Sequence, residues 1–110
     1  MRPIALALLS LGVSACGGPL AQGEALFEKG HYAEAKQTLA SMDVPGRRWR
    51  VPERARFALY RGLTLGALGD LARAREWLRE AKEIEDGWPG ALGKDDSRRL
   101  EAARDTYEVR

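Results

Sequence analysis

The chain has 110 residues, 45% hydrophobic, 31% charged and 7% aromatic, with 18 basic against 16 acidic side chains. That is the size and make-up of one small folded domain plus a short extra element. A net charge of +2 is too weak for bulk attraction to nucleic acid, and neither end carries a run of like charge.

The extra element comes first. Arg2 precedes the apolar run Ile4-Ala5-Leu6-Ala7-Leu8-Leu9-Ser10-Leu11, which gives way to small residues, the order found in export signals. The run spans roughly 12 Å as a helix, whereas ~20 residues are needed to cross a hydrocarbon core, so it does not read as a membrane span. The segment Val13-Ser14-Ala15-Cys16 resembles the lipobox of bacterial lipoproteins. That resemblance implies a signal peptide over 1–15 that is cleaved, a lipidated tether over 16–18 with acyl chains on Cys16, and a domain over 19–110. Gly17, where an Asp would resemble an inner-membrane retention signal, implies the outer membrane with the domain facing the periplasm. Several buried acyl chains, at ~0.8 kcal/mol per methylene, make such an anchor nearly permanent. The competing reading is a cytosolic protein whose amino terminus stays uncleaved as a core helix and whose Cys16 is an ordinary thiol. Cys16 is the only cysteine, so neither an intramolecular disulfide nor a zinc cluster is expected.

Gly17-Gly18-Pro19 is a short tether that would hold the domain within roughly 10 Å of a lipid surface. Helices are then expected at about 19 to 29, 32 to 41, 52 to 68 and 71 to 85, with Pro52 opening the third. The glycine- and proline-rich stretch 86–93 breaks the pattern, and Ser97 is expected to cap a last helix reaching about Glu108. Leu100, Ala103 and Tyr107 form its apolar side, and Arg98, Glu101, Asp105 and Glu108 its polar one.

Five identical pairs share one offset of 39: Gly23 with Gly62, Leu26 with Leu65, Gly30 with Gly69, Ala35 with Ala74, and Leu39 with Leu78. One helical hairpin is written twice. Gly23 and Gly62 lie inside helices, where glycine costs ~1 kcal/mol relative to alanine unless a neighbouring helix must come close. Gly30 and Gly69 suit the left-handed residue that ends a helix, with Asp70 capping the next. This pattern resembles the tetratricopeptide repeat, a helix-turn-helix of about 34 residues. The resemblance implies an all-α fold of two tetratricopeptide-like hairpins plus a C-terminal capping helix, a short solenoid. The longer spacing, Ala58 in place of an aromatic, Leu71 in place of a tyrosine, Met42 in place of the last alanine of the first copy and Asp86 in place of a closing proline depart from the family pattern.

Little in the chain points to catalysis. His31, the only histidine, falls in a turn between Glu28 and Glu34 with no nucleophile to activate. One histidine and scattered carboxylates give no metal-ligand spacing, and no phosphate-cradling loop follows a strand. Glu83, Glu85, Asp86, Asp95 and Asp96 read as solvated helix-end charges, Asp96 helping to cap the last helix. Arg79 with Glu83 and Arg104 with Glu108 are helical neighbours four apart.

Two surfaces are candidates for binding. Between Arg47 and Arg61 six arginines face one glutamate. Arg47, Arg48, Trp49, Arg50 and Arg54 would suit an anionic surface, the alternative being a solvated loop with Trp49 folded onto the core. The tetratricopeptide resemblance implies a second site, a groove lined by Leu20, Glu24, Phe27 and Glu28 and by Arg56, Leu59, Leu63, Gly66 and Ala67. Leu59 and Leu63 would give it an apolar strip, or else belong to the core. The expected function is a membrane-anchored protein–protein interaction module, an adaptor, scaffold or assembly factor for an envelope complex. No enzyme activity, cofactor, metal or nucleic acid is expected, and self-association is compatible. An envelope enzyme, a cell-wall-binding lipoprotein and a cytosolic tetratricopeptide adaptor are the alternatives.

Overall fold

A computed structural model describes residues 18–110. The proposed signal segment 1–15, Cys16 and Gly17 lie outside the described residues. Every regular element among the described residues is an α-helix: α1 over 18–28, α2 over Tyr32–Ala40, α3 over Val51–Ala67, α4 over Leu71–Gly87 and α5 over Lys94–Tyr107. The described residues are therefore all-α.

Local chemistry explains the boundaries. Pro52 sits in the first turn of α3, where its missing N–H costs nothing, and the Glu53 carboxylate accepts from the Arg50 amide at 3.4 Å. Asp70 caps α4 by accepting from the Arg73 amide at 3.4 Å. Gly30 and Gly69 have φ of 82° and 87°, and their amides donate to the Phe27 and Gly66 carbonyls. The next amides, His31 and Asp70, reach back to Leu26 and Leu65, each at 2.9 Å. Both helix ends are thus closed by the same pair of bonds, one offset of 39 apart.

The start of the last helix differs from the sequence expectation. Gly93, with φ of 82°, precedes it, and the Ser97 amide already donates to the Gly93 carbonyl at 3.0 Å, so Ser97 lies inside the first turn and caps nothing. The preceding loop is also shorter, 88–93, because α4 continues to Gly87. One α4 side chain makes this possible: the Glu85 carboxylate accepts from the Gly90 and Leu92 amides at 2.7 and 2.9 Å. Glu85 is a clamp on the loop rather than a solvated charge, and it holds Leu92 in the core.

Two close approaches set the packing. A Cβ on Gly23 would lie 2.6 Å from Leu39 Cγ, and one on Gly62 would lie 2.6 Å from Leu78 Cγ. In each hairpin the leucine of the second helix is pressed onto bare backbone of the first, and Ala35 and Ala74 are fully buried beside it. The order of contacts gives the helix directions. Glu24 meets Arg56 and Phe27 meets Tyr60, so α1 and α3 run parallel. Tyr60 meets Asp96 and Gly66 lies under Tyr107, so α5 runs parallel to both. Gly62 meets Leu78 while Arg54 meets Glu80, so α4 runs the other way.

Helix α3 is central and buried almost all round, with Ala55, Phe57, Ala58, Leu59, Leu63 and Leu65 in the core. Helix α5 adds Leu100 and Ala103, while Arg98, Glu101, Asp105 and Glu108 stay exposed. Neither expected pair four apart forms an ion pair: Arg104 meets Glu101 at 2.9 Å, and Lys82 bridges Asp86 at 2.9 Å and Glu101 at 3.9 Å.

The Gly62 contact can be tested against its own control. Gly62→Ala gains helix propensity, yet its methyl meets Leu78 and lies 3.2 Å from the Ala74 carbonyl oxygen. Overpacking of ~1–3 kcal/mol outweighs the propensity gain, so the urea midpoint should fall. Gly87→Ala, at the last residue of α4 with nothing within 4 Å of its Cβ, should leave the midpoint unchanged or raise it.

Candidate functional site

Because α1, α3 and α5 run parallel, residues one turn apart on each line up across them. The result is a seam of side chains of both signs. From α1 it takes Glu24, Phe27 and Glu28, from α3 Arg56 and Tyr60, and from α5 Asp96 and Arg99. At its centre the Tyr60 hydroxyl donates to Asp96 Oδ1 at 3.0 Å and accepts from Arg99 Nη1 at 3.0 Å. The same Arg99 guanidinium donates to Glu28, tying α5 to α1 across α3. Burial and the neighbouring Asp96 carboxylate push the Tyr60 hydroxyl well above its ordinary pKa, so it stays a donor at every physiological pH. The hydrogen bond to Glu28 raises Arg99 further, holding its charge.

One turn earlier, Glu24 Oε2 and Arg56 Nε are 3.3 Å apart, but the N–H is not aimed at the oxygen and neither atom has a hydrogen-bond partner in the structure. Burial raises the Glu24 pKa, only partly offset by Arg56. Phe27 packs edge-on against Tyr60, ring centroids 5.7 Å apart, and fixes the floor between these two polar clusters.

The groove residues divide. Glu24, Glu28 and Arg56 keep exposed surface on the seam and Phe27 is half-buried there, whereas Leu20 is buried. Leu59 is 0% exposed and Leu63 7%, so neither forms an open apolar strip. The reason is α5, which lies along the same side of α3. Tyr107 covers Gly66, and only Ala67 beyond it is open. Tyr60 and Arg99 were not among the residues singled out from sequence, and Asp96 was read only as a helix-capping charge. Their signal was the alignment of a third parallel helix with the first two, which needs the true start of α5 at Lys94. Asp96 spends its carboxylate on Tyr60 rather than on the helix end.

The arginine segment divides, its helical members turned inward and its loop members exposed. Arg54 forks onto Glu80, lies 4.0 Å from Asp43, and covers Trp49, Phe57 and Trp77 with its guanidinium 5.2 to 5.4 Å from their ring centres. Arg61 lies 4.8 Å over Trp77, and burial lowers its pKa. Trp49 is half-buried against Phe57 at 4.6 Å, so it is folded onto the core. Arg47, Arg48 and Arg50 remain exposed.

His31 precedes α2 as an exposed residue, 3.3 Å from Glu34. Among the described residues no cluster of three or more His, Cys, Asp or Glu is placed to hold a metal ion. No helix among them is long and apolar enough to cross a membrane. No protein-family model, curated protein or solved structure matches the chain.

Glu24 carries a pH prediction. A carboxyl whose folded pKa is raised contributes stability in full below its ordinary value of 4.5 and loses it as pH rises through the raised value. Glu24→Gln does not ionise, so its stability relative to wild type should grow between about pH 4 and pH 7, read as the difference in urea midpoints. A constant difference would mean that Glu24 is unperturbed in the folded chain.

Proposed function

We propose that this chain is a membrane-anchored interaction module of the bacterial envelope, acylated at Cys16 and facing the periplasm from the outer membrane. Its domain is a short tetratricopeptide-like solenoid that docks one envelope protein along the α1–α3–α5 seam. The repeat reading is supported by the two hairpins, which share a glycine-on-leucine contact, a glycine-closed turn and a buried alanine at one offset of 39.

The observation that carries the docking reading is the seam itself. Three parallel helices present partly exposed Glu24, Glu28, Arg56 and Arg99 on one face, already fixed by ion pairs and by Tyr60. A preorganised surface of both signs loses little side-chain entropy on binding. With Leu59 and Leu63 covered, recognition rests on charge pattern and hydrogen bonds instead of an apolar helix pressed into a groove. The fitting partner segment is polar, with carboxylates opposite Arg56 and Arg99 and a cation opposite Glu28.

The test keeps the internal pair while reversing the surface. A Glu28→Arg, Arg99→Glu double variant keeps the α1–α5 ion pair but gives up the Arg99 hydrogen bond to Tyr60, so its urea midpoint is measured first and capture is compared under conditions where both proteins are folded. In-cell crosslinking should capture one envelope protein with wild type and lose it with this variant. Equal capture by both would remove the seam as the docking site. A Cys16→Ser variant should appear in the soluble fraction or remain unprocessed, and the mass of the amino-terminal peptide should report acyl chains on wild-type Cys16. An unmodified cysteine there would overturn the anchor.

A further inference from the structure

Helix direction assigns the loops to ends. Because α4 runs against α3, its carboxyl end and the 88–93 loop lie at the end where α3 begins, together with the 41–50 loop. The start of α1 is at this end too: Gly18 and Pro19 share a recess of about 150 Å³ with Met42, Arg47 and Glu53. Two exposed large apolar side chains stand here, Val44 at 51% and Trp88 at 60%. Arg47, Arg48 and Arg50 are exposed at the same end and form no ion pair among the described residues, and exposed Lys94 adds a fourth cation. The carboxylates at this end are Asp43, which faces Arg54, Glu53, which accepts from the Arg50 amide and shares the recess with Arg47, Asp86, which pairs with Lys82, and exposed Asp95.

We propose that this end of the domain is a second membrane contact, in which Arg47, Arg48 and Arg50 take the phosphates of anionic lipids and Trp88 sits at headgroup level. The proposal rests on the acylation of Cys16 put forward above. With one residue between Cys16 and Gly18, the lipid surface lies within roughly 10 Å of this end. A helix is ~10–12 Å across, so no protein layer fits between the two, and the occupant is the bilayer itself. The chemistry agrees. Guanidinium forks match phosphate oxygens, and an indole carries an apolar body with one N–H donor, the combination that settles at the boundary of headgroups and acyl chains. Arg54 and Arg56, from the same run of sequence, are held inward by Glu80 and Glu24, so the free charge is concentrated in the loop that faces the lipid.

The test is tryptophan quenching in the full chain isolated from the envelope, with the mass at Cys16 recorded. The protein is reconstituted into vesicles of phosphatidylcholine brominated on its acyl chains, with or without phosphatidylglycerol. Trp88→Phe provides the blank for Trp49 and Trp77. Quenching of Trp88 is expected with phosphatidylglycerol, weaker at about 0.5 M salt, and absent in phosphatidylcholine alone. An Arg47→Gln, Arg48→Gln, Arg50→Gln variant should lower the ratio of docked to undocked domain roughly 100-fold. Arg48→Gln with Arg50→Gln alone, which spares the Arg47 guanidinium stacked 4.7 Å over the Trp49 ring, should lower it in the same direction. Quenching that ignores lipid charge and the arginines overturns the proposal, as does an unquenched Trp88 on an acylated chain, or crosslinking of these arginines to an acidic protein without quenching. Charge-dependent quenching of a chain that carries no acyl group would uphold the surface contact while the anchor reading fails.

Discussion

The structure depends on how closely two helices approach across a glycine. At Gly23 and Gly62 the first helix of each hairpin offers bare backbone, and a leucine from the second helix fills the space a methyl would occupy. That contact fixes the spacing of α1 with α2 and of α3 with α4, and hence the level at which every other side chain meets its neighbour. The glycine turns close at corresponding points, so two hairpins of matching geometry leave α1 and α3 parallel. From that parallelism follow the seam, the side of α3 on which α5 lies, and the end at which the loops gather.

The sequence carried the small residues well and the large ones less well. Glycine and alanine at helix crossings and turns have few alternative uses, so a repeated offset among them is a strong statement about backbone proximity. Leu59 and Leu63 are different, because a leucine serves a groove floor and a core equally. What decides between them is whether another helix covers that side, and α5 does. Its placement depends on Gly93 and Glu85, two residues whose role is invisible until the loop is closed. Helix α3 did hold a clue: a helix apolar nearly all round is one with neighbours on every side.

Charge shows the same difference between local and spatial information. Six arginines over fifteen positions look like one basic patch on paper, but only Arg54, Arg56 and Arg61 lie on α3, which turns them in different directions. Arg54 and Arg61 lay their planar guanidinium groups over Phe57 and Trp77 as lids on the aromatic cluster, Arg54 also reaching the Glu80 carboxylate while Arg61 Nε is buried without a hydrogen-bond partner. A linear count of charge could not distinguish these from Arg47, Arg48 and Arg50, which lie before the helix begins.

The Glu85 clamp has a consequence for how the chain assembles. By holding two loop amides, one carboxylate turns six connecting residues into a stiff elbow that sets the direction in which α5 leaves α4. Arg99 to Glu28, 71 residues apart, is the ion pair of greatest sequence separation among the described residues, and it spans a loop that the helix turns and the elbow divide into short closures. The Arg99–Glu28 pair joins the outermost helices and belongs to neither glycine crossing, so the seam can open there while both hairpins stay packed.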